Sequence, residues 1–285
     1  MNIFNYQEAF SRNAGIISET DQVKLNNASV AIAGMGGVGG DYLITLSRAG
    51  IGNFNTSDFD EFELANFNRQ YGASIDSIGR PKMDVMASLA KQVNPELNIK
   101  EYGQGVNQDN LNDYLDGVDV VVDGIEFFEV DAHRTLIMGA VERGIPVIAA
   151  VPLGFGAGLL NFTKEGMSFD DYFSMPADLP LENRVLLFSL GFAPAGFHIK
   201  YVDPASFDLK NRKGPSFIGA CKLCAGMVAA QVVQAILDPA SLKPIPWYSH
   251  FDAKLNKFKH GKLIMGNRNP LQKLKYAYAR RILGI

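Results

Sequence analysis

The chain of 285 residues is 47% hydrophobic with a formal net charge of −3 and a pI near 5.8. It holds enough apolar material for a packed core, and its mild acidity argues against nucleic acid as the main partner, which usually demands a strongly basic face. Cys221 and Cys224 alone make no disulfide framework. The first eight residues lack a basic region followed by an apolar one, and the expected location is cytoplasmic. The longest uncharged run, 145–162, is broken by Pro146, Pro152 and several glycines, which fits two buried strands and no integral membrane segment.

In chain order, residues 1–28 read as a helical arm, with helices over 5–12 and 18–25 and Ser18 as a helix start. Residues 29–163 alternate: strand from Ser29, glycine turn, helix 41–49, strand 54–57, helix 81–93, strand 97–102, helix 110–115, strand 118–123, helix 130–143 and strand 146–151. Apolar strands alternating with amphipathic helices give a Rossmann-like α/β fold, a mostly parallel sheet with helices on both faces. A strand at 156–162 follows. Residues 164–215 read as irregular, and so long a connection is expected to shape substrate specificity or cross the site. Its candidate contacts are 169–173 and 185–197, with Asp170 and Asp171 equally able to face solvent. Residues 216–285, an apolar helix at 219–237, strands at 246–251 and 257–262 and a basic helix at 271–283, are expected to complete the same domain. In that last helix Lys273, Lys275, Arg280 and Arg281 alternate with few apolar residues. A helix packed on its own domain with a solvated basic face is favoured over a membrane or partner helix.

Chemistry concentrates near the first strand. Gly34, Gly36 and Gly39 fit G-x-G-x-x-G, with Gly37 inside it: a tight turn, close backbone approach to a phosphate and close helix packing. The helix behind them offers unpaired N–H groups to an anion. Asp58 and Asp60 follow the second strand, where nucleotide folds place the acid that binds ribose. Arg69, Arg80 and Lys82 add cations that a dinucleotide, with two phosphates already served by the helix, does not need. ATP is therefore favoured over NAD.

These motifs, with Asn66-Phe-Asn-Arg69-Gln70 and Gly79-Arg-Pro-Lys82, make the sequence resemble the ThiF/MoeB/HesA family, bacterial relatives of ubiquitin-activating enzymes. The resemblance runs over 5–163 and returns at 219–237. It implies that Asp58 binds the ribose hydroxyls while Asn66, Arg69 and Lys82 hold the triphosphate. It also implies a homodimer, in which Arg12 of Phe10-Ser-Arg12-Asn reaches the other subunit's site. The implied reaction is ATP- and Mg²⁺-dependent adenylylation: a carboxylate attacks the α-phosphorus and pyrophosphate leaves. The acceptor would be a small ubiquitin-like or sulfur-carrier protein, a peptide or a small acid.

Two positions depart from the family pattern. Glu126 stands where the family usually has an aspartate for Mg²⁺, so its longer arm shifts the ion, and Asp123 is the fallback ligand. One C-x-x-C pair, Cys221 and Cys224, replaces two, and half a site cannot close a zinc tetrahedron. Buried packing is the expected role, with a reactive Cys221 thiol as the alternative. No cysteine lies in 164–215, so the acyl-adenylate is expected to pass directly to an external nucleophile. Two other functions remain open on these residues: a catalytically weak binding scaffold, on account of Glu126 and Phe127, and an NAD-dependent dehydrogenase, on the glycine motif and Asp58 alone.

Overall fold

The computed structural model describes residues 4–176, 178–208 and 211–285. Its strands are β1 (Ser29–Ala33), β2 (Asn53–Ser57), β3 (Asn98–Tyr102), β4 (Val120–Asp123), β5 (Val147–Leu153), β6 (Gly156–Phe162), β7 (Trp247–Asp252) and β8 (Lys257–Lys262). They form one sheet in the order β3-β2-β1-β4-β5-β6-β7-β8. The pairings from β3 to β5 are parallel, and β6, β7 and β8 continue the sheet antiparallel. The strand order reverses between β1 and β4, and a crevice opens at their carboxyl ends, where open α/β sheets bind ligands.

Ten α-helices are described: α1 (Tyr6–Ala9), α2 (Glu19–Asn27), α3 (Gly39–Ala49), α4 (Lys82–Val93), α5 (Leu111–Tyr114), α6 (Val130–Glu142), α7 (Phe169–Phe173), α8 (Leu181–Phe192), α9 (Ile218–Leu237) and α10 (Pro270–Leu283). Local chemistry sets their ends. Ser18 accepts from the Asp21 amide at 3.1 Å to cap α2, and Gly50, at φ 97°, closes α3 in the left-handed conformation that lacks a steric cost only for glycine.

Alternation along the strands divides the core. Val30, Ile32, Val120, Val122 and Ile148 pack on one face with Met86 of α4 and Val228 and Val232 of α9. Ala31, Val121, Val147 and Leu160 pack on the other with Leu136 of α6 and Phe188 of α8. By length and composition α9 could cross a membrane, but it lies against β5, β6 and α3 with Cys221, Cys224 and Val228 fully buried.

The stretch 164–215 is not irregular throughout, because it contains α7 and α8. Nor are 169–173 and 185–197 contacts for an acceptor as a set. Phe169, Tyr172, Phe173, Val185, Phe188 and Phe192 are core residues, with rings 4.6 Å apart for Phe169 and Phe173 and 4.9 Å for Phe188 and Phe192. Helix α8 is apolar nearly all round, which erases the 3.6-residue period that would mark it. Asp170 is paired as well as exposed: Arg134 of α6 donates to both its oxygens, at 2.7 and 2.6 Å.

Helix α10 packs on its own domain, as expected, with Lys273, Arg280 and Arg281 solvated, but the packed side is polar and includes Lys275. Gln272 Nε2 donates to Leu190 O at 2.9 Å, Lys275 Nζ to Pro194 O at 2.5 Å and Tyr276 OH to Asn183 Oδ1 at 2.7 Å. Leu271, Leu274, Tyr278 and Ile282 are exposed.

Candidate functional site

The turn from β1 into α3 is closed to side chains at two glycines. Gly34 has φ 89°, and a Cβ there would stand 2.3 Å from Gly124 O; a Cβ on Gly39 would stand 1.7 Å from Gly34 O. Gly36 and Gly37 are different. A Cβ on Gly36 would meet only Gln70 Nε2, at 3.8 Å, and one on Gly37 would touch Arg69 Cγ at 3.5 Å and Cys221 Sγ at 3.6 Å. Their bare backbone lies at the amino end of α3, the end where helix amides and the helix dipole favour an anion.

Asp58 follows β2 and is bonded to the backbone of this turn. Its Oδ2 accepts from the Met35 amide at 2.6 Å and its Oδ1 from the Asp60 amide at 2.8 Å. Each carboxylate oxygen keeps a further lone-pair direction with which to accept from a hydroxyl.

The cations are held by the protein itself. Arg69 lies along Gly37, and its Nη1 donates to Ala65 O and Asn68 Oδ1, both at 3.0 Å. Lys82 is buried at the start of α4, and its Nζ meets Asp60 Oδ2 at 2.8 Å. Asp60 thus neutralises Lys82 across the site. Asn66 is buried too, and its Oδ1 accepts from the Glu63 amide at 2.9 Å, capping the helical turn Leu64–Asn66. Arg12 lies apart from these groups, exposed on the turn Ser11–Asn13.

Glu126 follows β4 in the crevice. Its side chain reaches solvent, yet enough protein surrounds its carboxyl for desolvation to raise the pKa; Arg69, the Phe127 amide, His133 and Lys82 pull it back down. Arg69, Lys82 and Glu126 therefore share one electrostatic neighbourhood. The carboxyl of Glu126 suits Mg²⁺, which takes one or two carboxylates and fills its remaining positions with water and phosphate oxygens. Asp123 does not suit it. His133 Nδ1 lies 2.6 Å from Asp123 Oδ2, the Ile125 amide donates to Oδ1 at 3.2 Å, and both side chains of the pair are buried.

His133 is a residue that motif reading misses. Its Nε2 lies 3.2 Å from Glu126 O, so β4, the loop carrying Glu126 and α6 are tied through one imidazole. A lone histidine three residues into a helix gives no sequence signal of this. Lys222 of α9 is another: its Nζ lies 2.5 Å from Asp41 Oδ1 and 4.6 Å from the Tyr71 ring centroid. Burial raises the Asp41 pKa and Lys222 opposes it. The Cys221 thiol, buried beside the glycine turn, has its pKa raised mainly by burial. A raised pKa disfavours the reactive thiolate.

A family model for the ThiF family matches residues 10–273. The chain belongs to the ThiF family. Its curated relatives include the tRNA threonylcarbamoyladenosine dehydratase of Bacillus subtilis, 31% identical over 143 residues, 50% of this chain and 56% of the relative. The Escherichia coli sulfur carrier protein ThiS adenylyltransferase is 30% identical over 142 residues, again 50% and 56%. The matches to these two span about half the length of each relative. Solved structures share the fold. PaaA superposes with a TM-score of 0.66 at 18% identity, covering 92% of this chain and 76% of PaaA. E. coli MccB solved with ATP gives 0.63 at 21% identity, covering 93% and 72%.

Proposed function

We propose that this ThiF-family chain is an adenylyltransferase that activates a carboxylate with ATP. The observation that carries the reading is the bare glycine turn at the amino end of α3, with Asp58 bonded to its Met35 amide, Arg69 lying against Gly37, and Arg69 and Lys82 both acting on the Glu126 carboxyl. In this reading the Asp58 carboxylate accepts ribose hydroxyls, the α3 amides bind phosphate, and Arg69 and Lys82 meet the charge that grows on phosphate oxygens as the reaction proceeds. The acceptor carboxylate, already ionised, attacks the α-phosphorus through one oxygen. The bond from that phosphorus to the bridging oxygen breaks, and pyrophosphate departs with the electron pair. No general base is needed. Held by Glu126, Mg²⁺ would supply further charge compensation at the phosphates. Positioning supplies most of the remaining rate.

Arg12 is proposed to serve a second subunit's site. Its exposed turn is followed by Ile16, 90% exposed, which a homodimer would cover. Mixing Arg12→Ala with Lys82→Ala protein tests this. Each mixed dimer holds one intact site, so equal mixing should restore about a quarter of wild-type activity; no recovery despite subunit exchange would rule it out.

The acceptor carboxylate belongs to a small sulfur-carrier protein, a peptide or a small acid. The threonylcarbamoyl group in the names of several relatives also carries a carboxylate, so tRNA joins the candidates and mild overall acidity does not remove it. ATP–pyrophosphate exchange with each acceptor in turn tests the function. Exchange that depends on one acceptor supports it. Failure to bind ATP, or preferential NAD binding in parallel titrations, would overturn it. A large gain in exchange with Glu126→Asp would favour the scaffold reading, in which the native metal position is impaired.

A further inference from the structure

Charge is strongly segregated along this chain. Nine of its 27 lysines and arginines lie after Asp252, where there is no Asp or Glu, leaving 18 cations against 30 acids in the preceding residues. The basic segment is β8, the following turn and α10. Lys257 and Lys259 belong to β8, and Lys259 acts electrostatically on Lys275 of α10, so strand and helix form one positive region.

The apolar residues of α10 face outward within this region. Leu271 and Leu274 are 67% exposed, Tyr278 63% and Ile282 48%. Their spacing of three, four and four residues sets them in one stripe along the helix, roughly 16 Å long. Helical geometry places Lys275 and Arg281 on the two flanks of the stripe and Lys273 and Arg280 on the far side of the helix. The opposite flank, with Gln272 and Tyr276, is spent on hydrogen bonds to α8.

We propose that α10 docks this protein on an anionic lipid surface, the Leu271-to-Ile282 stripe entering the headgroup layer and the surrounding lysines and arginines meeting lipid phosphates. The arrangement is that of an interfacial amphipathic helix, apolar on one side and rich in cations around it. A protein groove that wraps a helix needs flanks that α8 already covers. A nucleic acid would use the cations and leave Leu271, Leu274 and Ile282 in water. Two copies meeting through this stripe would bring together two segments with nine cations each and no carboxylate side chain. The docking does not depend on the adenylylation reading.

The full chain should float with vesicles of equal parts phosphatidylcholine and phosphatidylglycerol, stay behind with phosphatidylcholine alone, and be released by salt. Combining Leu274→Glu with Tyr278→Glu, or Arg280→Glu with Arg281→Glu, should lower partitioning at least about tenfold. These side chains are exposed and none bonds to α8, Arg280 stacking only on the Tyr276 ring, so the melting temperature should shift little. Tyr278→Trp adds a direct readout, an emission blue shift on adding anionic vesicles. The proposal is overturned if the protein ignores anionic vesicles or if both double variants partition like wild type. It also fails if polyglutamate or transfer RNA binds through these residues more tightly than the vesicles do.

Discussion

Strands β1, β2 and β4 finish at one edge, and each leads into a group the candidate site uses: Gly34, Asp58 and the loop to Glu126. Strands β6, β7 and β8 run back and forth, and on β7 two polar groups turn inward. Asp252 at the end of β7 is fully buried and accepts from Tyr201 OH at 2.5 Å, while the Phe155 amide donates to that hydroxyl at 2.9 Å. His250 is completely buried, and neither ring nitrogen has a hydrogen-bond partner. The contrast follows from connectivity. Parallel strands all deliver their carboxyl ends to one edge, where loops and helix termini supply unpaired donors. Antiparallel strands alternate direction, so no single edge collects their ends; β7 buries Asp252 and His250 while β8 turns its lysines to solvent.

The most damaging way to break the parallel half is Gly39→Ala. With Gly34 O at 1.7 Å from the new methyl, the turn must open, and we expect loss of ATP binding by calorimetry together with several kcal/mol of stability, about 3 or more. A variant that binds ATP normally would show that the turn is not the phosphate cradle. Lys82→Ala comes next. Removing a charge proposed to meet phosphate should lower acceptor-dependent pyrophosphate exchange by about 10²–10³-fold; unchanged exchange would assign Lys82 to its pair with Asp60 alone.

The antiparallel half should instead answer to acid. Burial lowers the pKa of both His198 and His250 from 6.5 to about 4, with Asp252 pulling the other way. As pH falls below 6.5 the unfolded chain therefore takes up protons first. Stability is full above that value and is lost progressively down to about 4, by about 2 kcal/mol per histidine near pH 5. His250→Leu should flatten the fall in melting temperature between about pH 7 and pH 5, and an unaltered slope would show that His250 is not responsible. The smallest effect is a gain. Gly226 lies in α9 with open space where a Cβ would go, and Gly226→Ala should add about 0.5–1 kcal/mol in thermal melts, the reverse of Gly39→Ala.

Legibility follows the same division. The glycine turn can be read from sequence because its spacing expresses a steric demand that few other arrangements satisfy. Arg69 and Lys82 can be picked out as cations, but the capture of Lys82 by Asp60 cannot, since residue types do not reveal which charges meet. The Asp123–His133 pair depends on how α6 sits against β4, which no local pattern encodes. Helix α8 escapes because it is apolar on nearly every side. In α10 the amphipathic pattern is visible, but the packed face is chosen by acceptors on distant residues, Leu190 O, Pro194 O and Asn183 Oδ1.

The bond from the Met35 amide to Asp58 has a thermodynamic consequence. A glycine-rich segment is the costliest kind of backbone to immobilise, and in many sites the ligand must supply that ordering free energy. Here the chain supplies it during folding, through a carboxylate 23 residues away. A ligand arriving at the glycine turn meets a backbone already held by Asp58, so its contacts go into affinity and orientation. Asp58→Asn should accordingly weaken binding more than the loss of a ribose contact alone, because the loop would then be ordered at the ligand's expense.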